Sequence, residues 1–562
     1  MKLKMYLRKI AKTVFFVAAF SVLGCTDMLE KEVLAYSTTD NYYDTPYKLQ
    51  EALNGVYNIL QSNQYMNCEW IFGEACGDDC LGNDESGTNQ IAELVNFTFN
   101  PANVWILNRY AINYQGINRA NQVIANAGKV KLSSNDYGEY TKVREILGQA
   151  KFLRAMFYFN LVKTFGGVPI RPETENLDSL VIPRSTKAEV YAYIEKDLRE
   201  AAIMLQGKYT DNNLGKAGVC ASIGLLLKVL MYEATPGVAS DKWTEMVSLG
   251  EYFIDGQSRT FGDILKYDST EDWESLRRRL WFKPDSLLAS TDPYETPNTA
   301  MPSVANLYSA AYTSVYNETL NYWEIFQLKG EFYKGSIFEV VFKESADGTS
   351  DDTNQGTGIF EDLFQNRLWI SPTLYDEIKN DPRVGQVIAR HGTATPDNER
   401  VSTVENRYNV LKWYTAKKDR PQNSTDYSKN RRVIRYADVL LMYAEALNEC
   451  GQGARALTQL NKTKAAANAI TSVATLYVGG GYGYMRNQIW LERRLELCFE
   501  WDRFFDIVRQ GRAASIFKNF ASASGTNQLR GINFIEGVNE IFPIPQNEID
   551  ISNGVVTQNP GY

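Results

Sequence analysis

The strongest constraint on this chain is a helical period that keeps returning. Apolar residues recur at three- and four-residue intervals over 108–128, 140–165, 186–206, 216–233, 242–254, 434–450, 453–468 and 486–513. That spacing places them on one face of an α-helix. Upstream, "YKLQEALNGVYNILQ" sets Leu49, Leu53, Val56, Tyr57 and Leu60 on one face as well. Several segments come in pairs, such as 434–450 with 453–468, with Ala and Tyr at packing positions. A pair with one apolar stripe cannot bury it alone, so such pairs stack on their neighbours. No strict 34-residue period is present, so the texture is that of a degenerate tetratricopeptide array. Strand-like runs are few, and "SIFEVVFKE" at 336–344 is the best of them. The expected fold is all-α, a tetratricopeptide-like helix-pair superhelix.

From 256 to 430 the helical period weakens, and Gly, Ser, Thr, Asn, Asp and aromatic residues rise. An irregular, loop-rich ligand-binding subdomain is therefore expected between two helical halves, because loops on a rigid scaffold are where binding residues concentrate.

The first residues follow a different logic. Five basic residues and no acid lie in 1–12, and "TVFFVAAFSVLG" at 13–24 carries no charge. A basic stretch before a short apolar one is the layout of an export signal, and it is too short for a membrane-spanning helix. "VLGC" then reads as a lipobox with Cys25 as the lipidated residue. Removing 1–24 takes the net charge from −8 to −13. A chain so acidic has no electrostatic case for nucleic acid. Acyl chains on Cys25 would hold it to lipid, several being needed for stable anchoring. The division expected is 1–24 signal peptide, 25–45 lipidated tether, 46–255 and 431–562 helical regions, and 256–430 the loop-rich insert.

A single histidine, His391, removes much enzymology. Two-His metal sites are impossible within the chain, and no "GxSxG" elbow accompanies it for a Ser-His-acid triad. Paired acids in "LERRLELCFEWDRFFDIVRQGR" (491–512) suggest glycoside hydrolysis at first sight. Their interleaving with arginines at i,i+3 and i,i+4 is better read as an internal salt-bridge lattice. "CGDDCLGNDESG" offers Asp78, Asp79, Asp84 and Glu85 to a hard cation, but not at EF-hand spacing, and a solvated acidic turn is the preferred reading. Neither metal nor cofactor is expected. Cys68, Cys76 and Cys80 are close enough in sequence for one disulfide, which export would permit; Cys220, Cys450 and Cys498 read as small core residues.

Four stretches carry the most information: "GQAKFLRAMFYFNLVKTFGGVPI", "RYADVLLMYAEALNECG", "ERRLELCFEWDRFFDIVRQG" and "FPIPQNEI…QNPGY". In the first, Gly166 and Gly167 can close a helix and Pro169 prevents its resumption, while Arg154 needs an acidic partner if buried. Together, and in this order, they resemble the SusD/RagB family of outer-membrane nutrient-binding lipoproteins, from Cys25 to Tyr562. "YDTPYKLQEALNGVYNIL", "INRANQVI" and "RSTKAEVYAYIEKDLREA" fit the same resemblance.

The resemblance implies a non-catalytic protein lipid-anchored on the outer face of the outer membrane. It implies a lid on a SusC-like TonB-dependent transporter, capturing a complex glycan and delivering it to the barrel beneath. Peptide binding in the same architecture, or a surface adhesin of structural role, are the alternatives. The acids after Cys25 (Asp27, Glu30 and Glu32) resemble the acidic patch of surface-exported lipoproteins. Ligand residues do not transfer by motif, so they are read from chemistry: flat apolar faces for sugar C–H surfaces and planar polar groups for hydroxyls. The expected ligand-binding residues are Trp70, Asn83, Trp281, Tyr322 and Trp323, with Trp369, Asp84 and Asn89 as further candidates.

Overall fold

Helix boundaries follow local capping chemistry. In α1 (Pro46–Gln61) the Thr45 side chain accepts from the Lys48 amide and a proline opens the first turn. The buried face of α1 holds Leu49, Leu53, Val56 and Leu60, the stripe its spacing predicts. Ser62 caps α2 (Asn63–Trp70), which runs into one π-helical turn, Ile71–Ala75. There follow α3 (Val104–Asn126), α4 (Tyr137–Phe165), α5 (Lys187–Met204), α6 (Val219–Glu233) and α7 (Asp241–Phe253). Thr186 and Glu189 form a reciprocal capping box at the start of α5. Gly166, at φ +73°, ends α4 in the left-handed conformation that glycine adopts without steric cost. The later helices are α8 (Pro372–Ile378), α9 (Tyr436–Glu449), α10 (Gly453–Asn468), α11 (Tyr482–Leu497), α12 (Arg503–Arg509) and α13 (Ala513–Ala523). This computed structural model describes residues 42–82, 90–132, 137–174, 181–266, 268, 270, 273, 296–308, 322–342, 368–390, 408–420, 428–468, 476–523 and 529–562.

The long helices stack in sequence. α1 lies on α3 and α4, α3 on α4, α4 on α5, α5 on α6 and α6 on α7. The run then passes directly from α7 to α9, and from α9 to α10 and α11. It is an all-α, tetratricopeptide-like superhelix, and residues 254–435 leave it and return to the same seam. At that seam a Cβ on Gly250 of α7 would overlap the Tyr443 ring of α9, so only glycine permits the approach.

Among the described residues the strands form three two-stranded antiparallel ladders. β1 (Cys80–Gly82) pairs with β3 (Leu368–Ile370), β2 (Ser336–Val340) with β6 (Arg431–Arg435), and β4 (Ile388–Arg390) with β5 (Tyr408–Val410). Two of these ladders sew the irregular segment to the helical body, through β1 on one side and β6 on the other.

One expectation fails in an informative way. The helical period over 486–513 predicts a single helix, but the chain breaks between α11 and α12. Phe499 and Trp501 take left-handed φ values of +62° and +75°. The break is held from outside: the Trp413 indole donates to the Phe499 carbonyl at 2.7 Å, and Trp413 and Trp501 stack with centroids 4.4 Å apart. The Arg431 guanidinium lies over the Trp501 ring at 4.1 Å.

The charges of α11 and α12 are paired, yet mostly with distant elements rather than along their own helix. Arg383 is fully buried and binds Asp381 (2.7 Å), Glu492 (2.9 Å) and Glu496 (2.7 Å). Arg435 of β6 reaches Glu496 and Glu500, and Lys412 joins Glu500 at 2.8 Å. Arg493 binds Asp438 at 2.8 Å, Arg509 binds Glu445 at 2.8 Å, and Lys228 also meets Asp438 at 2.9 Å. Arg435 and Asp438 therefore do not pair with each other as their spacing suggests. Arg154 finds its acid in Asp197, through two hydrogen bonds of 2.7 and 2.8 Å. Asp78 and Asp79 form neither a cation site nor a solvated turn. Both are buried and bound by Arg494 and Arg503. Cys68, Cys76 and Cys80 remain buried thiols, and Cys450, expected in the core, is half-exposed.

Removing one member of a buried pair leaves the others charged and unpaired, at a cost of about 3–5 kcal/mol. Arg383→Met takes from Glu492 the cation that pairs it, while Asp381 keeps Lys464 and Glu496 keeps Arg435, and it is expected to lower stability by about that amount, read from urea unfolding.

The lattice also sets a pH dependence. Burial raises Glu69 and Asp506, but Arg109 and Arg431 at the first, and Arg493 and Arg509 at the second, outweigh it and hold both carboxyls at about 2. Their stabilisation is present above the unfolded values of 4.5 and 3.8 and is lost as pH falls toward 2. Glu74 runs the other way, because burial and then Asp79 push its carboxyl well above the ordinary value. Its contribution is greatest in acid and declines as pH rises past its unfolded value of 4.5. With the paired carboxylates in the majority, the urea midpoint is expected to fall as pH is taken from about 4.5 to about 2.

Candidate ligand-binding site

The irregular segment is positioned by its strands. In the β1–β3 ladder Leu81 faces Trp369 and Gly82 faces Leu368; in the β4–β5 ladder Arg390 faces Tyr408. β3 also packs beside β5, so the two ladders meet. The roots of β1, β4, β5 and β6 are bolted to α11, α12 or the break between them, and β3 is tied in through Asp78. Arg494 and Arg503 hold Asp78 and Asp79 below β1, and the Ser371 hydroxyl beyond β3 donates to the Asp78 carbonyl at 2.6 Å. Arg383 fixes the chain ahead of β4, and Lys412, just past β5, donates to the Glu496 carbonyl at 2.7 Å.

Where these ladders meet, three aromatic residues are only partly buried at the edge of the core. Tyr375 of α8 and Tyr408 of β5 stack with centroids 4.2 Å apart at 24°, and both are half-buried. Trp369 on β3 is half-buried too, while its neighbour Ile370 is in the core, as strand alternation requires. The stacked pair, on α8 and β5, and the indole on β3 therefore sit on segments that pack side by side, and their accessible parts offer apolar surface. Such a surface matches the C–H side of a sugar ring.

The sequence candidates divide sharply. Trp70 is 2 % exposed and its indole donates to Asn67 at 3.0 Å. Tyr322 is buried, donates to the Glu496 carbonyl at 2.7 Å and lies under the Lys412 ammonium. Trp323 is 3 % exposed and its indole donates to the Leu411 carbonyl at 3.1 Å. These three are not platforms. Tyr322 joins the irregular segment to the helical body, Trp70 packs within the body and Trp323 packs inside the irregular segment against Ala389, Leu411, Tyr414 and Ala416, and none offers a ring face to solvent. Asn83, Trp281, Cys25, His391, Asp84, Glu85 and Asn89 lie outside the described residues. Of the named aromatics, Trp369 keeps an accessible surface. Tyr375 and Tyr408 were not singled out from the sequence. "LYDEI" and "RYNV" hold one tyrosine each among 34, and nothing local marks the two as partners.

A second concavity, of about 250 Å³, opens between α1, the 212–216 turn and the end of β2. Among the described residues no group of His, Cys, Asp and Glu is arranged to hold a metal ion, and no helix is long and apolar enough to cross a membrane.

A stacked helix-pair body carrying an irregular, strand-tethered segment is the architecture of the SusD proteins, and the comparisons place the chain there. Residues 376–562 match the family described as SusD family, and residues 28–230 match that described as starch-binding associating with outer membrane. The chain belongs to the SusD-like family. It is 24 % identical to SusD-like protein P2 of Formosa agariphila, across 98 % of this chain and 99 % of that protein. Among solved structures it resembles a laminarin binding SusD-like protein, with TM-score 0.66 and 24 % identity over 92 % of this chain and 100 % of that one. It also resembles surface glycan-binding protein A from Bacteroides thetaiotaomicron in complex with laminarihexaose, with TM-score 0.63 and 19 % identity over 92 % and 99 % of the two chains.

The division between core and accessible aromatics is directly measurable. Trp323→Ala is expected to cost about 3–5 kcal/mol of stability, whereas Tyr375→Ala is expected to shift it by less than about 1 kcal/mol. Thermal denaturation of the two variants separates the roles.

Proposed function

We propose that the protein captures a complex glycan at the cell surface and delivers it to a SusC-like TonB-dependent transporter, without cleaving it. On this reading Cys25 carries the acyl chains that hold it to the outer face of the outer membrane. The observation that carries the proposal is the half-buried Tyr375–Tyr408 stack beside Trp369, on α8, β5 and β3, where the ladders meet. Glycan-binding relatives with the same architecture support it. The acids that first suggest hydrolysis are engaged elsewhere: Glu492 and Glu496 bind Arg383, and Glu500 binds Arg435 and Lys412. Glu492 and Glu496 are also fully buried, out of reach of a polysaccharide chain. Asn83, one residue past Gly82, and Trp281 are proposed to join the same ligand surface.

Isothermal titration of the mature protein against laminarin, starch, other polysaccharides and a peptide library tests this. We expect a polysaccharide to bind, with no reducing ends released, and Tyr408→Ala to weaken it at least tenfold at unchanged melting temperature. Sugar release by the pure protein, or a peptide ligand with no glycan ligand, would sink the proposal.

A further inference from the structure

The 250 Å³ cleft shares no residue with the aromatic face. Drug-sized pockets begin at about 300 Å³, so its volume suits one six-membered sugar ring. Its walls are cross-linked before any ligand arrives. The Tyr57 hydroxyl donates to Gln149 at 2.9 Å and accepts from the Ala217 amide at 3.0 Å, tying the turn to α1. The Gln61 amide donates to the Val341 carbonyl at 2.6 Å, tying the end of β2 to the same helix. Gly215 has φ +91°, and a Cβ there would overlap Val341, so the turn can pass this close to the strand only with glycine.

The lining chemistry is specific in kind. Planar amides dominate: Gln50, Asn54, Gln61 and Asn212. The Gln50 amide donates to Asn54 Oδ1 at 2.9 Å, which leaves the Asn54 Nδ2 hydrogens to give. Gln61 spends its Nε2 on Val341, which leaves Oε1 to accept. A hydroxyl both donates and accepts, and amides meet it in both senses. Leu60, Val340 and Val341 supply the apolar floor. Glu339 lines the cleft as well, but its carboxylate is occupied by the Phe332 amide (2.9 Å), Asn430 (3.0 Å) and Arg432 (3.5 Å). Lys216 is the single cation of the lining, so charge selects neither sign strongly.

We propose that this cleft is a second carbohydrate subsite, holding one neutral pyranose unit of the glycan that the aromatic face engages. The proposal rests on the glycan-binding reading above.

The test uses the mature chain and four probes, glucose, galactose, mannose and N-acetylglucosamine, with glucuronate as the charged comparison. Saturation-transfer NMR reports the monosaccharides, and titration calorimetry reports the polysaccharide bound by the wild type. Asn54→Trp fills the cleft from an exposed position on α1, and Tyr408→Ala removes part of the platform. We expect at least one neutral sugar to show saturation transfer that Asn54→Trp abolishes and Tyr408→Ala retains. We also expect Asn54→Trp to weaken the polysaccharide at least threefold at unchanged melting temperature. The subsite is overturned if no neutral monosaccharide binds, if glucuronate binds more tightly than all four, or if Asn54→Trp leaves polysaccharide binding intact while Tyr408→Ala impairs it. That last result keeps the glycan reading standing, whereas a wild type that binds no polysaccharide overturns that reading itself.

Discussion

The structure turns on buried charge pairing at one broken helix. Glu492, Glu496 and Glu500 project from one side of α11 and the break after it, and they collect Arg383, Lys412 and Arg435 from three separate parts of the chain. Arg494 and Arg503, from α11 and α12, take Asp78 and Asp79 from a fourth. Charges removed from water are costly unless paired and hydrogen-bonded. The segments carrying these partners therefore have one favourable place each. Apolar burial drives the helices to stack, but it is not directional; the charge pairs define where the non-helical chain must sit.

That division of labour explains how a site can rest on very little regular structure. The ladders are three to five residues long, and an isolated pair of such strands is marginal in water. Here a guanidinium or an ammonium fastens the ladders near their roots to the helical body, and side-chain bonds from Ser371 and Gln61 add to it. The Trp413–Trp501 stack and the Arg431 guanidinium fill the angle that the helix break opens. Rigidity is thus imported from the superhelix into the loops, at whose ends Trp369, Tyr375 and Tyr408 keep partly exposed surface.

The helical body was largely legible in the sequence. The stripe of α1, the glycine stop after α4 and the helices α5, α6, α7, α9 and α10 all follow from periodicity and capping, which are local, whereas α8 lies in the stretch whose period is weak. The strand at 336–340 was legible for the same reason. What local pattern does not contain is partner choice. Arg435 and Asp438 stand at helical spacing and yet bind Glu496 and Lys228, respectively, because tertiary geometry outbids a neighbour one turn away. The break at Phe499 escaped because the force producing it, Trp413 and its neighbours, comes from some ninety residues upstream. Trp70, Tyr322 and Trp323 looked like platforms because they sit in polar, irregular stretches. They are packing residues instead: Trp70 in the body, Trp323 inside the irregular segment, and Tyr322 where that segment meets the body. The Tyr375–Tyr408 pair was invisible because a stack is a property of two segments.

The direct seam between α7 and α9 has a consequence for assembly in time. Residues 254–435 are bypassed by that contact. Closing a long loop rather than a short one is thermodynamically cheap, since each doubling of length adds about 0.6 kcal/mol. Delay is another matter. A chain made at about 5–20 residues per second leaves the apolar side of α7, with Gly250 at its centre, waiting on the order of ten seconds or more for Tyr443 to be synthesised. Through that interval the first half of the superhelix ends in an uncovered face, so the nascent protein has a sticky end of defined position and lifetime, which a holdase chaperone is suited to cover.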